Sequence, residues 1–556
     1  MERKIKYRDG LAKISVLSFA GKKVETPNIA IVVNPNKLII SPEELEKQFK
    51  AEILITNAYI ISKTPTLREK AKHEKLHRML NFHGAIMTDS GAYQMYSRGI
   101  KDIDPEAVVK FQVEIGSDVI TPLDCFVLPR DSRKEAEDKV DETIRRVVSS
   151  KNLIPSEREY IIPLQGGTHI DLRVKSAMAL RNMGNIYAIG GLAPLLMSYN
   201  YKEICDIIIA IKKTIPDKII HAFGAGHPMI FSLLAFLGCD LFDSAMYSIA
   251  AAQDRYLTAF GTLKLREIEE FPCSCPVCVK YTPQELLETD KKERTELLAR
   301  HNLFVTFEEL KIVKEAIKNQ ELLNLLQLRA RSHPRFLEAL ILLLRKHSTW
   351  LEKFEPISKN TPLKYAGVEF WLRPEIARIR LRMSRGYPGK HVFIKGLGVV
   401  PVAILRTYPL KQLKESKILA EDSQSPLEVM RQLLKYYYNV DITGFKAVKQ
   451  DDKVTCVFKN TVIGHIDSTG FPKLTDEGFK ILISIYKPPI GRIIVKTQPI
   501  TGKVYGRQVE DFDPDLRPGQ IAAVVDKNDR FLFKAEILIP PCEFQYYPNE
   551  IVAMAI

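Results

Sequence analysis

Between about residues 50 and 245, short runs of β-branched residues alternate with amphipathic helical stretches, and this alternation limits the possible folds more than any other feature of the chain. Strands that alternate with helices pair in parallel, because each crossover helix must pack back onto the sheet. The pattern predicts strands over 52–61, 84–89, 118–124, 159–165, 185–190, 218–223 and 239–243. Between them, 170–182 and 200–213 carry apolar residues at three- and four-residue spacings, as a helix lying on a sheet requires. Such a series folds as an open doubly wound sheet or as a closed barrel.

The residues at the strand ends favour the barrel. They are Thr-Asp-Ser-Gly at 88–91, Pro-Leu-Asp at 122–124, Leu-Gln-Gly-Gly at 164–167, Ile-Gly-Gly-Leu at 189–192, Phe-Gly-Ala-Gly-His-Pro at 223–228 and Phe-Asp-Ser-Ala at 242–245. Any one of these could simply close a turn. Six in succession, rich in Asp, Gln and Gly-Gly, converge on one mouth only if the sheet closes. The expected fold is α/β, a TIM (β/α)8 barrel with an inserted zinc site, followed by small α+β domains and a C-terminal β-barrel.

The inserted site is Cys273, Cys275 and Cys278, with 22 residues between Cys278 and His301. Three thiolates and an imidazole close a tetrahedral shell and leave no coordination position for water, so one structural Zn2+ per chain is expected. Beyond the cysteines, 282–350 is strongly helical, and Phe354 to Pro362 reads as a boundary. Residues 371–420 hold eleven Lys and Arg against two Glu, a bias expected of a surface that contacts phosphate. With 556 residues, the chain is expected to form a catalytic domain over 1–350, a basic domain over 351–420, a small α+β domain over 421–486 and a β-domain over 487–556.

A net charge of +14 points to a polyanionic partner. Apart from the three clustered cysteines, Cys125, Cys205, Cys239, Cys456 and Cys542 are scattered without a framework spacing, which argues against a secreted disulfide scaffold. No apolar stretch reaches the roughly 18 to 20 residues that a membrane span needs, and no membrane partner is expected. A cytoplasmic protein follows.

Asp89, Asp124 and Asp243 stand at strand ends as the reactive candidates. Two carboxylates at one mouth can divide labour, one as nucleophile or ion stabiliser and the other as proton carrier, which suits reaction at an anomeric carbon. An Asp in that position also serves as a helix cap. Gln165 and the Gly190-Gly191 backbone can read the edge of a planar base, and Tyr93 can stack on its face or pack in the core. His221 and His227 flank Gly224-Ala225-Gly226 and read as loop-structuring or substrate-adjacent.

Taken together, Thr88 to Gln94, Pro122 to Asp124, Leu164 to Gly167, Ile189 to Gly191, Phe223 to Pro228, Phe242 to Ala245 and Phe271 to Cys278 carry a family signature. In these motifs the chain resembles the archaeal type of tRNA-guanine transglycosylase, strongly over about residues 5–345. Three C-terminal domains of that family also have counterparts, the last an RNA-binding PUA domain represented by Asp513 to Gly519. The resemblance implies replacement of guanine 15 in the tRNA D-arm by 7-cyano-7-deazaguanine (preQ0), a step towards archaeosine, by a homodimer. It implies Asp243 as nucleophile, Asp89 as general acid and base, and Asp124, Gln165, Gly190 and Gly191 as holders of the base, with Tyr93 stacking on it. A paralogous archaeosine synthase shares these domains, and a catalytically silent tRNA-binding subunit would keep the basic ones. The presence of Asp89, Asp243 and Gln165 together favours base exchange.

Overall fold

A computed structural model describes residues 1–92, 94, 104–128, 130–413, 424–450, 453–467 and 469–556. These divide into two units, Met1–Leu340 and Ile341–Ile556. The first unit begins with an antiparallel sheet of β1 (Glu2–Asp9), β2 (Ala12–Phe19) and β3 (Lys22–Thr26). Eight parallel strands follow: β4 (Asn28–Val32), β5 (Ile53–Asn57), β6 (Ala85–Asp89), β7 (Val119–Ile120), β8 (Glu159–Leu164), β9 (Ile186–Ile189), β10 (Ile219–Ala222) and β11 (Leu241–Ser244). They pair in chain order, and β11 closes the ring on β4, as a TIM barrel requires.

The alternation within each strand explains the packing. Ile53 and Ile55, Ala85 and Met87, Ile186 and Ala188, and Ile219 and Leu241 share one buried cluster inside the barrel. Leu17 and Phe19 of β2 and Val24 of β3 belong to the same cluster, so the small sheet plugs the end of the barrel where the strands begin. The strand ends are left as the open mouth.

Most predicted strands come out within one or two residues, but two are shorter by five. The strand expected over 52–61 stops at Asn57, whose side-chain oxygen accepts the Ile60 N–H and starts a helix over Ala58–Lys63. That expected over 118–124 pairs only over Val119–Ile120, after which the Thr121 N–H turns to the Gln112 side chain. The remaining barrel strand, β4, lies upstream of the segment in which the alternation is legible. A hairpin of β12 (Arg255–Thr258) and β13 (Gly261–Lys264) follows the barrel and leads to the cysteines and to the helix Lys291–Lys318.

The second unit contains a hairpin of β14 (His391–Ile394) and β15 (Gly398–Pro401). A four-stranded sheet follows in the order β16 (Lys446–Gln450), β17 (Lys453–Phe458), β18 (Thr461–Ile466) and β19 (Pro472–Leu474). The last sheet has six strands: β20 (Arg492–Val495), β21 (Lys503–Tyr505), β22 (Val509–Phe512), β23 (Ile521–Val525), β24 (Phe531–Ile537) and β25 (Ile551–Ala555).

The basic run over 371–420 is only in part a surface. Arg373, Arg378 and Arg382 are buried. Arg378 lies 3.4 Å from Glu352, which also receives the Arg517 Nε–H at 2.9 Å, and Lys359 bridges Glu355 at 2.7 Å and Glu375 at 3.4 Å. Arg382 donates to the carbonyls of Tyr436 and Asp515. These cations tie the second unit together because a buried guanidinium must be matched by carboxylates or carbonyls. Arg380, Lys390, Lys395 and Lys411 remain exposed, while Lys414 and Lys417 lie outside the described residues. Among the described residues, no helix is long and apolar enough to cross a membrane.

Candidate active site

Asp89 is the last residue of β6 and is half-buried at the mouth. Its Oδ2 accepts a hydrogen bond from the Asn57 side-chain amide at 2.7 Å, and that amide also donates to Gln94 Oε1 at 3.1 Å. Burial, then the neighbouring Asp124 charge and to a lesser extent that of Asp243, push the Asp89 carboxyl up to about 7, against the pull of the Gly91 N–H and Asn57. A carboxyl titrating there can both give and take a proton near neutrality.

Asp124 follows β7, the neighbour of β6, and accepts from the Gln165 side-chain amide. Burial raises its carboxyl, and the Gln165 hydrogen bond opposes the rise. Gln165 is fully buried just past β8, and its Oε1 receives the Val127 N–H at 3.4 Å. Its amide nitrogen lies against Gly190, where a Cβ would come within 2.3 Å of it. Gly191 has a φ of +78° and turns the chain into the helix Leu192–Met197.

Asp243 lies in β11, with β4 and β5 between it and β6, so Asp89 and Asp124 stand at and beyond the ends of adjacent strands and Asp243 does not. Its Oδ1 receives the Gly224 N–H at 2.8 Å and lies 2.9 Å from His221 Nε2. Tyr93 lies outside the described residues.

The sulfurs of Cys273, Cys275 and Cys278 and a ring nitrogen of His301 all lie within 4.8 Å of one another. Tetrahedral ligands at about 2.3 Å from a zinc ion would stand roughly 3.8 Å apart. His301 Nδ1 sits 3.5 Å from Cys275 Sγ and 3.4 Å from Cys278 Sγ, while Nε2–H donates to the Leu257 carbonyl at 3.0 Å. That bond fixes the tautomer that turns Nδ1 to the thiols, so the four residues can hold a metal ion. Tyr256 stacks on the His301 ring at 3.6 Å, and its hydroxyl lies 3.3 Å from Cys278 Sγ.

A family model described as queuine tRNA-ribosyltransferase matches residues 9–335. The chain belongs to the queuine tRNA-ribosyltransferase family. The tRNA-guanine(15) transglycosylase of Pyrococcus abyssi is 38% identical over 564 residues, covering 98% of this chain and 96% of that relative. That of Methanococcus aeolicus is 37% identical, over 86% of this chain and 80% of the relative. That of Methanocaldococcus jannaschii is 44% identical over 69% of this chain, which spans 60% of that relative's length.

Within this member of the tRNA-ribosyltransferase family, three residues at the mouth carry more than the sequence motifs suggest. Asn57 holds Asp89 and caps a helix with the same side chain. His221 adjoins Asp243. Arg173, on the helix Ile170–Leu180, is fully buried and donates to the carbonyls of Gly167 at 2.9 Å, Leu164 at 2.6 Å and Gly190 at 2.8 Å. Burial lowers its guanidinium to about 9, since carbonyls alone receive it. It pins the loops after β8 and β9 around Gln165. The available signal was a lone arginine on the same inward stripe as Leu172, Ala177 and Leu180.

Proposed function

We propose that this chain replaces guanine 15 of tRNA with preQ0 through a covalent aspartyl-ribosyl intermediate. The observation that carries the reading is the unlike setting of two carboxylates at one mouth. Asp89 titrates near 7, while the Asp243 carboxylate is fixed at one oxygen by two donors. The relatives named above, each called a tRNA-guanine(15) transglycosylase, support the substrate.

In this mechanism Asp243 attacks the ribose anomeric carbon as the bond to guanine breaks, and protonated Asp89 supplies the proton that the departing base takes. The incoming base then gives its ring proton to ionised Asp89 and displaces Asp243. Two inversions retain the configuration. Asp124 and Gln165 read the edge of the base, with the Gly190 and Gly191 backbone beside it and Tyr93 stacked on it. The target nucleotide must leave its stack to reach the mouth, and the exposed cations of the second unit and its last sheet, read as a PUA domain, hold the opened tRNA. The Cys3His site holds zinc, which supplies a rigid brace and takes no part in the exchange. A cytoplasmic homodimer completes the reading. The test is incorporation of labelled guanine, then preQ0, into a transcript with an intact D-arm; binding without exchange would sink it.

The two half-reactions should respond to pH in opposite senses. Adduct formation, which uses protonated Asp89, falls as pH rises through about 7, and chase of the adduct by free base rises through the same point. Asn57→Ser keeps a helix cap but removes the amide that favours the ionised form, so both midpoints move upward. Single-turnover rates between pH 5.5 and pH 8.5 check this, and midpoints that do not move would assign the proton transfer elsewhere.

Gly190→Ala offers a separate check on base recognition. Its methyl group would overlap the Gln165 amide and displace it from Asp124, leaving a buried polar group unmatched. A loss of about 1–3 kcal/mol corresponds to a rise of roughly 5- to 160-fold in KM for the base, with KM for tRNA unchanged. An unaltered base KM would remove Gln165 from the recognition set.

A further inference from the structure

We infer that His221 is a positioning residue for the nucleophile: its Nε2–H and the Gly224 N–H hold Asp243 Oδ1, so that Oδ2 alone is presented to the ribose. The inference rests on the proposed role of Asp243. Ile219 and Leu241 both belong to the apolar cluster inside the barrel, and His221 and Asp243 lie two residues farther along the same faces of β10 and β11. In the parallel register His221 pairs with Leu241, which sets the imidazole one step below the carboxylate and diagonally beside it. A histidine with no exposed surface at such a position needs a polar reason to be there.

The hydrogen bonds supply that reason and fix the ring. Nδ1 is buried and has no hydrogen-bond partner among the described residues, and Phe223 packs edge-on against the ring at 4.5 Å between centroids. A proton on Nδ1 would be buried without an acceptor, so the proton sits on Nε2 and points at Asp243 Oδ1. Oδ1 thus receives two donors, one from a side chain and one from the glycine loop. Among the described residues Oδ2 receives none, and the side chain keeps 13% of its exposure. A carboxylate anchored at one oxygen and open at the other has little rotation to lose on the way to the bond with the anomeric carbon.

The test compares two amides of similar polarity. In His221→Gln the side-chain nitrogen reaches about as far as Nε2 and can still donate to Asp243; in His221→Asn it stops near the position of Nδ1 and cannot. The expected result is adduct formation within about threefold of wild type for His221→Gln and a loss of roughly 10- to 100-fold for His221→Asn, the range of one hydrogen bond to a charged group. KM for the base and affinity for tRNA should be unchanged in both. Equal rates in the two variants would overturn the inference, as would a loss that appears only in KM. Adduct formation in Asp243→Ala, run alongside, separates the two layers: an adduct there defeats the assigned nucleophile, whereas equal Gln and Asn rates with no adduct there defeat only the role of His221.

Discussion

Asp243→Ala should leave no protein–RNA adduct that survives denaturant, and should lower guanine exchange by at least about 10^4-fold, the loss expected when the proposed nucleophile is removed. Asp89→Ala should form adduct slowly, with losses of about 10^2- to 10^4-fold in both half-reactions, as expected when a positioned proton carrier is removed. The difference follows from their surroundings. Burial, and then the field of Asp124 and Asp243, push the Asp89 carboxyl up to about 7, which suits a group that cycles a proton. Asp243 is held at one oxygen by His221 and Gly224, which suits a group that must attack along one direction. Gel separation under denaturing conditions, with labelled tRNA and each variant, is the measurement. An adduct that persists in Asp243→Ala and vanishes in Asp89→Ala would exchange the two roles.

Loss of the metal should have the second large effect. Replacing Cys278 by Ser removes one of the four candidate ligands, two of them half-buried and two buried, and should cost more than about 4 kcal/mol, read as a large fall in Tm. Elemental analysis should find one zinc per chain in the wild type. The damage should spread along a defined route. The β12–β13 hairpin carries Tyr256 and Leu257 against Cys278 and His301, and its Thr262 meets His227 Nε2 at 2.9 Å in the loop that presents the Gly224 N–H. The same helix that bears His301 bears Asn302, which bonds the backbone of Tyr247, Arg255 and Leu257. Adduct formation should therefore weaken after chelation while its pH midpoint stays near 7. A metal whose replacement by cobalt moves that midpoint would place it in the chemistry.

The barrel was legible because its strands and helices alternate and its strand ends carry Asp, Gln and Gly-Gly. The plug was not, because β1 to β3 form an ordinary antiparallel sheet whose role depends on where Leu17, Phe19 and Val24 meet the barrel interior. Local spacing located the four metal-ligand candidates, since three cysteines within six residues have few other uses. Asn57 and Arg173 resist such reading, and His221 shows only as loop-structuring or substrate-adjacent, because their work depends on long-range bonds: to Asp89, to the Gly190 carbonyl and to Asp243. The basic run misleads for the complementary reason. Charge counting does not tell an exposed arginine from Arg378, which is buried beside Glu352.

The plugged floor of the barrel also dictates traffic. With Leu17, Phe19 and Val24 filling the end where the strands begin, the strand-end mouth is, among the described residues, the open end of the barrel through which a base would reach the proposed site. In the exchange proposed above, departing guanine and arriving preQ0 would use it in turn while the ribose stayed tethered across it. Each base is then a rival of the other for the same seat, so excess guanine should slow the forward exchange by reversing the first half-reaction, without loosening the grip on tRNA.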